Sequence, residues 1–130
     1  MYHIGIDIGS TTVKVVVLDE KQQLRFRCYE RHFSKVREKT CEILHRIEEK
    51  YAGEQVQAVI TGSAGLGVAK ASGLDFVQEV YATAAAVNAL DPGTDAVIEL
   101  GGEDAKIIFF GNSLEERMNG VCAGGTGSFI

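Results

Sequence analysis

The sequence predicts an α/β fold, a mixed sheet with helices on its faces, and three observations carry that expectation. Two apolar, β-branched runs and a third that alternates apolar with polar residues open the chain before any helical periodicity begins. Helical and strand-like segments then alternate, the arrangement in which helices cover a sheet. Finally, one motif is written twice. Ile6-Asp7-Ile8-Gly9-Ser10-Thr11-Thr12-Val13-Lys14 returns ninety-two positions on, from Ile98, as Ile98-Glu99-Leu100-Gly101-Gly102-Glu103-Asp104-Ala105-Lys106. In both, an apolar strand ends on an acid, a glycine follows two residues later, and a lysine stands in the strand that returns.

Tyr2–Ile8 and Thr12–Leu18 read as strands joined by the Gly9–Thr11 turn, and Leu24–Arg31 alternates as a half-exposed third strand. Phe33–Tyr51 reads as a helix, because Phe33, Val36, Thr40, Ile43, Leu44, Ile47 and Tyr51 share one stripe. Gly53 ends it. Val56–Thr61 is a short apolar strand running into Gly62-Ser63-Ala64-Gly65-Leu66-Gly67, with a short helix over Val68–Ser72. Val77–Leu90 is an alanine-rich helix broken by Asp91-Pro92-Gly93. Asp95–Leu100 and Ala105–Phe110 make the second hairpin, and Glu115–Asn119 extends it as an edge strand.

The chemistry lies in the two hairpins. Each has a tautologous alternative as a plain tight turn, since Asp and Gly are common turn residues. Yet Ser10, Thr11 and Thr12 set three hydroxyls beside backbone N–H groups, as a phosphate clamp requires, and Gly101-Gly102 permits close backbone approach. Glu99, Glu103 and Asp104 crowd carboxylates into the second turn. They would repel a phosphate unless a cation stood between, so this reading carries Mg²⁺ with it. Lys14 either neutralises phosphate charge or points to solvent from within its strand. Gly62–Gly67 follows a strand like a phosphate loop but lacks the Lys-Ser/Thr of one, and reads as a turn near the nucleotide. Cys28 and Cys41 fit the strand and helix they sit in. His3, His32 and His45 share no spacing and read as incidental. Cys122, among small residues, reads from spacing alone as a small buried hydrophobe.

The 130 residues are most naturally one domain, with 45% hydrophobic and 24% charged residues. A net charge of −5 argues against nucleic acid or an anionic membrane as partner. No apolar run is long enough to span a bilayer. Three scattered cysteines make no disulfide framework, and no signal-peptide pattern opens the chain, so a reducing cytoplasm is the expected compartment.

Asp7-Ile8-Gly9-Ser10-Thr11-Thr12 and Glu99-Leu100-Gly101-Gly102 resemble the two phosphate motifs of the ATPase superfamily of actin, hexokinase, acetate kinase and heat-shock chaperones. Ile98–Lys106 and Met118-Asn119-Gly120-Val121-Cys122-Ala123-Gly124-Gly125-Thr126-Gly127 resemble, more narrowly, the activators of 2-hydroxyacyl-CoA dehydratases and the benzoyl-CoA reductase ATPase subunits. The resemblance runs from Ile4 to Ile130. It implies a ribonuclease-H-like domain with a five-stranded mixed sheet and helices on both faces. This would be the N-terminal part of a two-domain or tandem-module protein.

The resemblance also implies site roles. Asp7 would hold Mg²⁺ through water. Gly9, Ser10, Thr11 and Thr12, with Lys14, would wrap the β- and γ-phosphates of ATP or ADP. Gly101 and Gly102 would close from the other side, Glu99 or Asp104 would orient the attacking water, and Thr126 and Gly127 would contact the nucleotide. Cys122 would take the first of two cysteine positions per subunit that hold a [4Fe-4S] cluster across a homodimer. ATP hydrolysis would then drive an electron from a ferredoxin or flavodoxin onto a dehydratase or reductase component. Glu99 and Glu103 stand where such proteins usually carry Asp and Gln, which opens the acyl-CoA substrate to question. A sugar- or acetate-kinase-like phosphotransferase and a non-catalytic nucleotide-binding scaffold are the rival readings. The isolated chain is expected to hydrolyse no ATP.

Overall fold

A computed structural model describes residues 1–111 and 115–118. The chain divides into two compact units, Met1–Val77 and Gln78–Ile130. In the first, β1 (Tyr2–Ile8), β2 (Thr12–Leu18) and β3 (Leu24–Arg31) are followed by α1 (Val36–Lys50), β4 (Val56–Thr61), α2 (Gly65–Ser72) and β5 (Asp75–Phe76). The five strands form one sheet in the order β3-β2-β1-β4-β5. β1 pairs antiparallel with β2 and parallel with β4, so the sheet is mixed, as the sequence predicts.

The core follows from strand periodicity. Side chains alternate between faces, and Ile4, Ile6 and Ile8 of β1 join Val13, Val15 and Val17 of β2 and Ile60 of β4 on one buried face. Ile43 and Ile47 of α1 and Ala69 of α2 close over them. Burying each such branched side chain contributes roughly 1.5–3 kcal/mol. Within this unit both helices therefore pack on the same face. The same alternation turns Asp7, Lys14 and Thr61 to the other face.

Three features of the first unit differ most from the sequence reading. The first helix begins at Val36, not Phe33. Phe33 and Ser34 take φ of 49° and 63°, a left-handed pair no helix can include, and Phe33 stays exposed. The second helix begins at Gly65, which lies against Ile60 and Phe76 where a Cβ would be crowded. The two residues of β5, which carry no strand signal in the sequence, pair with Val59 and Ile60.

The second unit holds α3 (Glu79–Leu90), β6 (Ala96–Leu100), β7 (Ala105–Phe109) and β8 (Glu115–Met118). The strands form a separate antiparallel sheet in the order β6-β7-β8. Ile108 is fully buried, and Lys106, less expectedly, is 4% exposed.

Candidate functional site

The first hairpin is closed by the Gly9 N–H, which donates to the Thr12 carbonyl at 2.9 Å and leaves Ser10 and Thr11 at the tip. Cross-strand register sets Asp7 opposite Lys14. The Lys14 ammonium lies 2.8 Å from Asp7 Oδ2, with both side chains about a third exposed. Lys14 thus points to its own acid rather than to open solvent, with the Tyr29 ring 5.5 Å away. Thr12, the last of the three hydroxyl residues, is buried at the foot of the turn.

A residue that the sequence reading set aside braces this turn. His32 is 4% exposed. Its backbone N–H donates to the Thr11 carbonyl at 3.1 Å. The Ser34 N–H donates to its Nδ1 at 3.0 Å, which leaves Nε2 to carry the proton and donate to the Gly9 carbonyl at 3.0 Å. One imidazole therefore ties the Gly9 turn to the left-handed pair that opens α1.

The end of β4 forms a second wall. Parallel register places Thr61 beside Asp7. The Thr61 hydroxyl is buried without a hydrogen-bond partner among the described residues. Gly62 follows at φ +100°, and a Cβ there would collide with the Ile8 carbonyl and lie 2.6 Å from Asp7 Oδ1. The Ala64 N–H then donates to the Ile8 carbonyl at 2.9 Å. The Gly62–Gly67 segment is thus a bend pressed against Asp7, a position fixed by the β1–β4 pairing rather than by any local signal.

In the second unit the motif is built to the same plan. The Gly101 N–H donates to the Asp104 carbonyl at 2.8 Å, and Glu99 stands opposite Lys106. Lys106 Nζ lies 3.8 Å from Glu99 Oε1 and 3.3 Å from Glu79 Oε2, and Thr83 donates to Glu99 Oε2 at 3.4 Å. Burial pushes the Lys106 pKa down, but Glu99 and Glu79 outweigh it and hold the net value above the ordinary lysine range. The structure thus gathers Asp7, Gly9, Ser10, Thr11, Thr12 and Lys14 in one turn, and Glu99, Gly101, Gly102 and Asp104 in another. Cys122, Thr126 and Gly127 lie outside the described residues.

The residues around the first turn suit a magnesium nucleotide. Magnesium binds through one or two carboxylates, waters and the phosphates themselves rather than an all-protein cage. Among the described residues no group of three or more His, Cys, Asp or Glu is placed to hold a metal alone. The unpaired Thr61 hydroxyl, beside Asp7 and a glycine bend that no side chain can fill, is the unmet polar group such a ligand would satisfy.

The sequence pattern of the BadF/BadG/BcrA/BcrD ATPase family matches residues 4–130. Across its whole length the chain is 32% identical to the 2-hydroxyisocaproyl-CoA dehydratase activator of Clostridioides difficile, of which it covers 50%. Its fold matches component A of (R)-2-hydroxyglutaryl-CoA dehydratase from Acidaminococcus fermentans with a TM-score of 0.80 and 24% identity, over 99% of this chain and 51% of that one. It also matches the activator of 2-hydroxyisocaproyl-CoA dehydratase from Clostridium difficile, a structure with bound ADPNP, with a TM-score of 0.74 and 29% identity, over 99% and 49%. The chain therefore spans about half the length of the relatives it matches.

Proposed function

The chain belongs to the BadF/BadG/BcrA/BcrD ATPase family, and from that premise we propose that it is the N-terminal ATP-binding part of an activator that couples ATP hydrolysis to electron transfer onto a 2-hydroxyacyl-CoA dehydratase or related reductase. One observation carries this reading: both copies of the repeat set an acid opposite a lysine beside a glycine-closed turn. Each such turn offers backbone donors to polyphosphate and a carboxylate to its cation.

Asp7 would hold the magnesium through water, with the Thr61 hydroxyl on the same wall. Magnesium supplies charge neutralisation of the phosphates. Ser10, Thr11 and the turn amides orient the β- and γ-phosphates, and Lys14, now on Asp7, is within reach to share its charge with them. Glu99 or Asp104 orients the attacking water, Gly101 and Gly102 admit the phosphate to the backbone, and Thr126 and Gly127 add nucleotide contacts. Hydrolysis here is positioning plus electrostatic stabilisation of the transferred phosphoryl group.

Cys122 would ligate a [4Fe-4S] cluster shared across a homodimer, with ferredoxin or flavodoxin as electron donor. Cys28 and Cys41, half-buried on β3 and exposed on α1, take no part. The test uses the full-length protein, reconstituted anaerobically. Asp7→Ala is expected to abolish ATP hydrolysis and Cys122→Ser to remove the iron. Hydrolysis at the wild-type rate in the first, or full iron content in the second, refutes the corresponding role. ATP consumption that requires a small acceptor would favour the phosphotransferase reading instead.

A further inference from the structure

We propose that Lys106 is a positioning residue whose buried ammonium, shared with Glu79, locks the Glu99 carboxylate in the orientation hydrolysis requires. This rests on the reading above that Glu99 orients the attacking water.

The Lys106 side chain is 2% exposed. Lysine almost always keeps its ammonium in water, and burying that charge without partners is costly. Here two carboxylates from different elements meet it: Glu79, which opens α3, and Glu99, at the end of β6. Glu99 is approached at both oxygens, Oε1 by Lys106 and Oε2 by the Thr83 hydroxyl. The Glu99 carboxylate, 34% exposed, is thus restrained from a strand and from a helix. Glu79 sits in the first helical turn, where the helix dipole favours its negative charge.

The two copies of the repeat differ at this point. Lys14 holds the same register position in the first hairpin, yet it and Asp7 are each 36% exposed. That pair can open to an arriving ligand. The Lys106 ammonium, 2% exposed, cannot give up both carboxylates without becoming an uncompensated buried charge. The repeat therefore uses its two lysines differently: the first is exchangeable, and the second is a fixed strut. A strut of this kind holds Glu99 still while charge shifts on the neighbouring phosphate, so it acts on the chemical step rather than on nucleotide affinity.

The experiment uses the full-length protein and compares Glu99→Gln with the double variant Lys106→Met/Glu79→Gln. The double variant removes the buried cation together with one of its carboxylates, and so keeps the fold where Lys106→Met alone strands two acids. Expected are a cooperative melt at a modestly lowered temperature, a calorimetric Kd for a non-hydrolysable ATP analogue within about threefold of wild type, and a kcat lowered about tenfold or more at constant KM. Combining all three substitutions should cost no more than Glu99→Gln alone, because Lys106 acts through Glu99. A wild-type kcat in the double variant beside a slow Glu99→Gln overturns the role of Lys106 and leaves the ATPase reading standing. Fully additive losses do the same. A wild-type rate in Glu99→Gln overturns both.

Discussion

His32 Nε2 donates to the carbonyl of Gly9 at 3.0 Å, across 23 positions of sequence. The bond joins the turn after β1 to the segment that launches α1, and the His32 backbone binds the same turn through Thr11. The tip that carries Ser10 and Thr11 is thereby held from outside its own hairpin. Truncation by His32→Ala should lower stability by about 2–3 kcal/mol, through lost buried hydrogen bonds and an unmatched Gly9 carbonyl. Urea denaturation measures this. An unchanged midpoint would show that the turn stands without its brace.

Thr61→Val separates ligand binding from folding. The substitution preserves shape and deletes a buried hydroxyl that has no partner. Stability should rise by about 1 kcal/mol, because a desolvated unpaired group disappears. Affinity of the full-length protein for magnesium-ATP should fall at the same time. Raised stability with unchanged affinity would mean that Thr61 faces no ligand.

Gly62 tolerates no side chain. Its φ is +100°, and an added Cβ would meet the Ile8 carbonyl and the Asp7 carboxylate. Gly62→Ala should cost at least about 2 kcal/mol from strain and collision together. Gly53, also at positive φ but with nothing near its Cβ position, should cost less when changed to alanine. Comparing the two by thermal melting isolates the collision.

Two ion pairs set the pH limits of stability. Lys106 has a raised folded pKa, because Glu99 and Glu79 outweigh its burial. Its contribution is fully present below the ordinary lysine value of about 10.4 and is lost as pH rises through the raised folded value. Glu30 is lowered, first by its hydrogen bond to Arg46, which burial opposes and the Lys39 ammonium reinforces. Its contribution is present above the ordinary glutamate value and is lost as pH falls through the lowered one. Denaturation midpoints followed from acid to alkaline pH should decline at both ends. Glu30→Gln should flatten the acid limb only.

Much of this was legible in the sequence, because its signals are local. The β-branched runs of Tyr2–Ile8 and Thr12–Leu18 marked the strands with the bounds observed. The matched acid, glycine and lysine spacing gave two hairpins with matched cross-strand pairs. What escaped depends on pairing between distant segments. His32 has no neighbour in sequence that announces Gly9. Thr61 becomes informative only once β4 lies parallel to β1, and β5 is too short to show a period. The left-handed Phe33-Ser34 pair hid inside an apolar stripe, since Phe33 matched the helical spacing while its backbone did not. For Lys106 a signal existed: the repeat itself placed a lysine opposite Glu99, although nothing local showed that it would be buried.

Asp7 rides on the strand whose alternate side chains, Ile4, Ile6 and Ile8, occupy the centre of the core. The acid and the oily interior are thus consecutive links of one seven-residue segment. Amide protons at Gly9 should accordingly exchange with deuterium only when the entire sheet opens, not through local breathing. Any molecule gripped there would tighten the whole first unit by mass action, so that occupancy becomes readable as a delay in melting.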